Sequence, residues 1–111
     1  MSMASEELSD RIRALLPLHL TVREQKMFGG RAFMLNGNML VGPMKDGALL
    51  VRISKDDTEA ALAEPGAAIM QMGHRVMSGF IQVSGDAIED DDALQAWLDR
   101  AREYVETLPA K

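Results

Sequence analysis

Apolar residues recur at helical spacing near both ends of the chain. Leu8, Ile12, Leu15 and Leu16 form one stripe and predict a helix over residues 5–16. Ser5 stands where an N-cap would. Glu6 and Glu7 follow in the first turn, where the helix dipole favours anions, and Pro17 stops the run. Leu94, Trp97, Leu98, Ala101, Val105 and Leu108 trace the second stripe, which predicts a helix ending at Pro109. Asp90, Asp91 and Asp92 supply an N-cap and negative charge at its start. Asp92 and Gln95 have the spacing of a variant capping box, and Arg100 and Arg102 fall in the back half.

Between the stripes the pattern changes to that of strands. From about Glu24 to Ile53 the sequence has strand character, punctuated by two turn signals. Asn36-Gly37-Asn38 separates Ala32-Phe33-Met34-Leu35 from Met39-Leu40-Val41, and Lys45-Asp46-Gly47 separates Val41-Gly42-Pro43-Met44 from Ala48-Leu49-Leu50-Val51. Asn-Gly and Asp-Gly tolerate the positive φ angles of tight hairpins, so the expectation is a three-stranded antiparallel meander. Its middle strand ends or bulges near Pro43, which has no amide hydrogen to donate. Residues 56–63 read as a short alanine-rich helix stopped by Glu64-Pro65-Gly66. Residues 67–72 and 76–83 read as two further strands with a break at Gly73-His74, and Ser84-Gly85-Asp86 as a loop. The order α-β-β-β-α-β-β-α implies a two-layer α+β domain with helices stacked on an antiparallel sheet.

One short segment departs from both patterns. In Met27-Phe28-Gly29-Gly30-Arg31, two large apolar side chains run into a glycine pair and then a cation. Glycine loses the most backbone entropy on ordering and has no side chain to pack, so a pair within strand-like sequence marks a bulge, a bend or a close approach. A phosphate cradle is disfavoured, because neither G-x-x-x-x-G-K-[ST] nor G-x-G-x-x-G is present. The bend is the expectation, a hinge in the first strand of the meander.

Composition narrows the class. A chain of 111 residues, 47% hydrophobic and 26% charged, is expected to be one globular domain spanning residues 1–111. With no cysteine, disulfides, thiolate metal sites and a cysteine nucleophile are excluded together. The N-terminus lacks a signal-peptide pattern and no apolar run is long enough to span a bilayer, so the expected location is the cytoplasm, with no membrane partner. A net charge of −5 disfavours direct nucleic-acid binding.

Candidate chemistry is sparse. His19 and His74 have no carboxylate at a recognisable ligand spacing, and a catalytic zinc normally takes three protein ligands. The aspartates at 90–92 are accounted for by a helix start. Serines 54, 78 and 84 lack a nucleophile-elbow context. Six of the nine methionines, at positions 34, 39, 44, 70, 72 and 77, fall in predicted strands, where methionine fills core gaps; an adaptable partner surface is the rival reading. No cofactor or metal is indicated, and the balance lies against an enzyme.

The segment Lys26-Met27-Phe28-Gly29-Gly30, with the strand, Asn36-Gly37 turn and strand that follow it and then Asp46-Gly47-Ala48-Leu49-Leu50-Val51-Arg52, resembles the TfoX/Sxy N-terminal domain family. Glu64-Pro65-Gly66, Gly79-Phe80-Ile81-Gln82-Val83 and the closing helix with Trp97 extend the resemblance over about residues 10–107. It implies a secretion-chaperone-like α+β fold and kinship with bacterial competence regulators. In those proteins this domain is joined to a C-terminal domain, for which the present chain has no room. The family supplies no catalytic residues to transfer.

The leading expectation is a non-enzymatic cytoplasmic binding module with a protein partner, acting within gene regulation. Phe28, Gly29, Gly30 and Arg31 with Arg75 are the candidate interaction surface. A binder of an anionic small molecule, or an enzyme, built around Arg31, His74 and Arg75 is the alternative. A homodimer formed through a strand edge or a methionine-rich face is compatible with either.

Overall fold

Asn36 and Gly37 turn the chain through φ angles of 54° and 83°, the paired positive values of a tight two-residue hairpin. In the computed structural model, which describes residues 3–16, 22–27, 30–44, 47–72 and 75–109, this turn joins β2 (Gly30–Leu35) to β3 (Asn38–Pro43). The other strands are β1 (Val22–Met27), β4 (Leu49–Arg52), β5 (Ala67–Met72) and β6 (Arg75–Val83). They form one antiparallel six-stranded sheet in the order β1-β2-β3-β4-β6-β5. Gly47, at φ 87°, closes the β3–β4 connection, where its amide donates to the Met44 carbonyl at 3.0 Å.

The segment from Glu24 to Ile53 therefore holds four strands rather than three. The predicted bend in one long strand is replaced by two separate strands, β1 and β2, which pair along their whole length from Val22↔Leu35 to Met27↔Gly30. The run Arg23-Glu24-Gln25-Lys26 is polar and exposed, so no apolar alternation sets β1 apart from β2. A bulge lies where β2 and β3 shift register between Phe33 and Met34. It leaves Leu40 without a partner on β2 and lets Leu40 and Val41 both reach the core.

Three helices cover one side of the sheet. They are α1 (Met3–Leu15), the short α2 (Thr58–Leu62) and α3 (Asp91–Val105), with 3-10 turns at Lys55–Asp57 and Gly85–Ile88. The predicted apolar stripes face inward as the spacing requires. Leu8 and Ile12 of α1 and Leu94, Trp97, Leu98, Ala101 and Val105 of α3 pack on Phe33, Leu35, Val41, Leu49, Val51, Ile81 and Val83. Capping differs from expectation. Helix α1 starts at Met3, so Ser5 lies inside it. Asp90 is the α3 N-cap without a side-chain cap bond, and Gln95 donates forward to Asp99 instead of closing a box with Asp92. Part of the predicted second helix is 3-10, opened by Ser54, whose hydroxyl accepts the Asp57 amide at 3.2 Å.

Two polar ties, one between helices and one to the sheet, fix the helical layer. The Arg11 guanidinium donates to the Ile88 carbonyl at 2.8 Å and to the Asp91 carboxylate at 3.0 Å, joining α1 to the start of α3. Beyond α3, the Asn38 amide donates to the Pro109 carbonyl at 3.0 Å, pinning the chain end against the start of β3.

Candidate functional site

Period-two alternation divides the sheet into two faces. Phe33 and Leu35 of β2 point to the helices. Ala32 and Met34 point the other way, where Met34 lies opposite Met39 across the β2–β3 ladder. A second apolar cluster forms on this far face. Ala32, Met39, Leu50 and Met70 are buried in it, with Met34, Met44 and Phe80 packed around them and half-covered. Every member comes from a strand or from Met44 just beyond β3, whereas the described core residues of α1, α2 and α3 all belong to the first cluster. Leu50, only 2% exposed, is thus sealed mainly by flexible methionines and Phe80 rather than by a helix. The methionines fill gaps, as the sequence suggests, but in this second cluster. The side chains of Met72 and Met77 lie outside the described residues.

Arg52 ends β4 at the margin of this face. It leaves the sheet on the same side as Phe80, its partner across the β4–β6 ladder. Its guanidinium carbon lies 5.7 Å from the centre of the Phe80 ring and 5.8 Å from that of Tyr104 on α3. No carboxylate among the described residues pairs with it. The two rings flank the half-buried cation, and it makes no hydrogen bond to a described residue. Sequence reasoning passed over Arg52, Phe80 and Tyr104, because a contact between three distant segments has no local spacing.

The sequence does carry one signal of this face, in its charges. Among the described residues only one carboxylate, Glu24, lies in a strand, whereas five cations do: Arg23, Lys26, Arg31, Arg52 and Arg75. Residues 25–45, 47–55 and 65–85 contain no acidic residue. The described strands are therefore cationic, and the excess of acidic residues lies outside them.

The predicted surface is distributed as follows. Phe28 and Gly29 lie outside the described residues. Gly30 opens β2 opposite Met27. Arg31 points to the helix side, where it donates to Glu24 at 3.2 Å. Arg13 of α1 grips the same carboxylate with two bonds of 2.6 Å. That double hydrogen bond is the largest influence holding the Glu24 carboxyl below its ordinary value. Burial opposes it, and the charges of Arg13 and Arg31 reinforce it. Arg75 opens β6, with its side chain outside the described residues. The strands β3 and β4 separate β2 from β6, so Arg31 and Arg75 do not occupy neighbouring strands. His74, the third member of the alternative anion site, lies outside the described residues.

Two grooves flank the Gly47–Gly85 contact. The larger, about 500 Å³, is lined by Glu7, Leu8, Arg11, Gly47, Gly85, Ile88 and Glu89. It has the size of a small-molecule site. Its one guanidinium is already committed to the Ile88 and Glu89 carbonyls and to Asp91. No group of three or more histidine or acidic side chains at metal-binding distance occurs among the described residues.

A model of the TfoX N-terminal domain matches residues 14–104, from the end of α1 through nearly all of α3. The chain belongs to the TfoX N-terminal domain family. No curated protein matches it. Arg52, Phe80 and Tyr104 of this TfoX N-terminal domain all fall within the matched span, as do Glu24 and Arg31. Among the described residues no helix is long and apolar enough to cross a membrane.

Proposed function

We propose that this TfoX N-terminal domain is a non-enzymatic protein-interaction module that works in the cytoplasm within gene regulation, through the helix-free face of its sheet. One observation carries the reading. A two-layer α+β domain needs one apolar sheet face for its helices, and this sheet has two. The second, formed by Met34, Met39, Met44, Leu50, Met70 and Phe80, serves no helix among the described residues. Methionine-rich surfaces suit protein partners because the unbranched thioether side chain repacks at little cost. Kinship with competence regulators supports a role in assembling regulatory proteins.

Site-specific photo-crosslinking in the cells that make the protein tests this. A photoreactive residue replaces, in turn, Met34 or Met44 on the helix-free face, Arg31 at the β1–β2 end, and Glu103 on the outside of α3. The expected result is protein adducts from positions 34 and 44 with none from 103. Adducts from position 31 alone would move the surface to the β1–β2 end with Gly30. Adducts from 103 alone would place it on the helices and overturn the reading.

A further inference from the structure

We infer that the partner of the helix-free face is an acidic amphipathic helix of another protein, whose apolar side lies on the methionines and whose carboxylate docks on Arg52. The inference rests on the interaction reading above and adds the chemistry of the partner.

Charge is the first argument. No described carboxylate belongs to this face, while Arg23, opposite Met34 on β1, lies on it and Arg52, between Phe80 and Tyr104, borders it. Neither arginine pairs with a described acid, in contrast to Arg11, Arg13, Arg31, Arg100 and Arg102, each of which does. A cation held between two aromatic rings has lost much of its side-chain freedom before binding, so pairing it with a carboxylate costs little further ordering.

The same charges argue against other occupants. A second copy placed face to face would bring Arg52 and Arg23 against like charges, since a twofold interface presents the same patch twice. A second copy offering its acidic helices would make a head-to-tail contact, which yields rings or filaments rather than a twofold dimer. Among the described residues, nucleic acid would find only Arg23 and Arg52, scattered around a methionine centre, where phosphate binding needs an array. A helix is the natural third layer for an apolar sheet face.

The experiment uses the whole 111-residue chain with carbon-13 methionine methyl groups. Three synthetic helical peptides of about 18 residues, some five turns, share one leucine face and differ only in flanks of Glu, Gln or Lys. The Glu peptide is expected to shift the Met34 and Met44 methyl signals and leave the Trp97 indole signal in place. It should bind about tenfold more tightly than the Gln peptide and lose that advantage as salt rises. Arg52→Gln should abolish the Glu preference and leave Gln-peptide affinity unchanged, so a folding defect cannot imitate the result. Arg23→Gln, at an exposed position, should reduce the preference by a smaller factor.

Equal affinity for the Glu and Gln peptides, or a preference for Lys, overturns the acidic partner and leaves the interaction reading standing. Silence of the face methyls with all three peptides also overturns it. The interaction reading falls with it only if positions 34 and 44 form no adducts in cells. Growth of large species without peptide would assign the face to copies of this chain. Stronger methyl shifts with a DNA duplex would assign it to nucleic acid. Either would overturn the inference.

Discussion

Gly66 sits at φ 78°, and a Cβ built there would lie 2.5 Å from the Ala87 methyl and 3.0 Å from the Ser84 hydroxyl oxygen. Gly79 has nearly the same backbone angle, φ 82°, but its nearest neighbour would be the Ile53 carbonyl at 3.4 Å, an ordinary contact. The pair separates backbone strain from crowding. Gly79→Ala should cost about 1–2 kcal/mol, the left-handed penalty alone. Gly66→Ala should cost about 1–3 kcal/mol more, because Ala87 is held by the 3-10 turn and cannot swing aside as a long side chain can. Urea unfolding of both variants checks the ranking; equal losses would show that the turn yields. The sequence marks Gly66 as a helix stop from its Glu-Pro-Gly context. It gives no sign that Ser84 and Ala87 close over it, since that crowding arises only when the α2–β5 connection meets the end of β6.

At the scale of elements, Glu24 is where α1, β1 and β2 meet. Arg13 comes from α1 and Arg31 from β2, and both hydrogen-bond one carboxylate. With its folded pKa held below the ordinary value, Glu24 stabilises the native state while ionised. That contribution is present at neutral pH. It fades as pH falls from about the ordinary carboxyl value of 4.5 through the lower folded value. Glu24→Gln should lower stability by about 0.5–1 kcal/mol at pH 7, and the gap to the parent should close as the solution is acidified. Thermal unfolding across the acid range measures this; a gap that stays constant would mean the variant acts through packing. This junction also shows what pattern reading can and cannot recover. The α1 and α3 stripes are legible because their apolar spacing runs for several turns. The Asn36-Gly37 hairpin is legible because its turn chemistry is local. β1 is legible only as the start of strand character near Glu24 and not as a strand of its own, because no turn signal as plain as Asn36-Gly37 announces that β2 pairs back on it.

For the molecule as a whole, the decisive property is that it holds two apolar clusters of different character. The first is built from Leu, Ile, Val, Phe and Trp locked between sheet and helices. The second is closed mainly by methionines and Phe80. The α+β class and the helix-covered core could be read from periodicity. The second cluster could not, because alternation in one strand does not say whether the far face will be covered. Leu98 on α3 and Leu50 on β4 are both almost fully buried, so their truncation compares the clusters on equal terms. Leu98→Ala leaves a hole among branched and aromatic side chains that are held on several sides, and should cost about 3–5 kcal/mol. Leu50→Ala leaves its hole beside Met39 and Met70, whose unbranched chains can turn into it, and should cost nearer 2 kcal/mol. Chemical denaturation reads both. If Leu50→Ala proves the more damaging, the far face is as rigid as the core, and the adaptability on which partner binding there depends is absent.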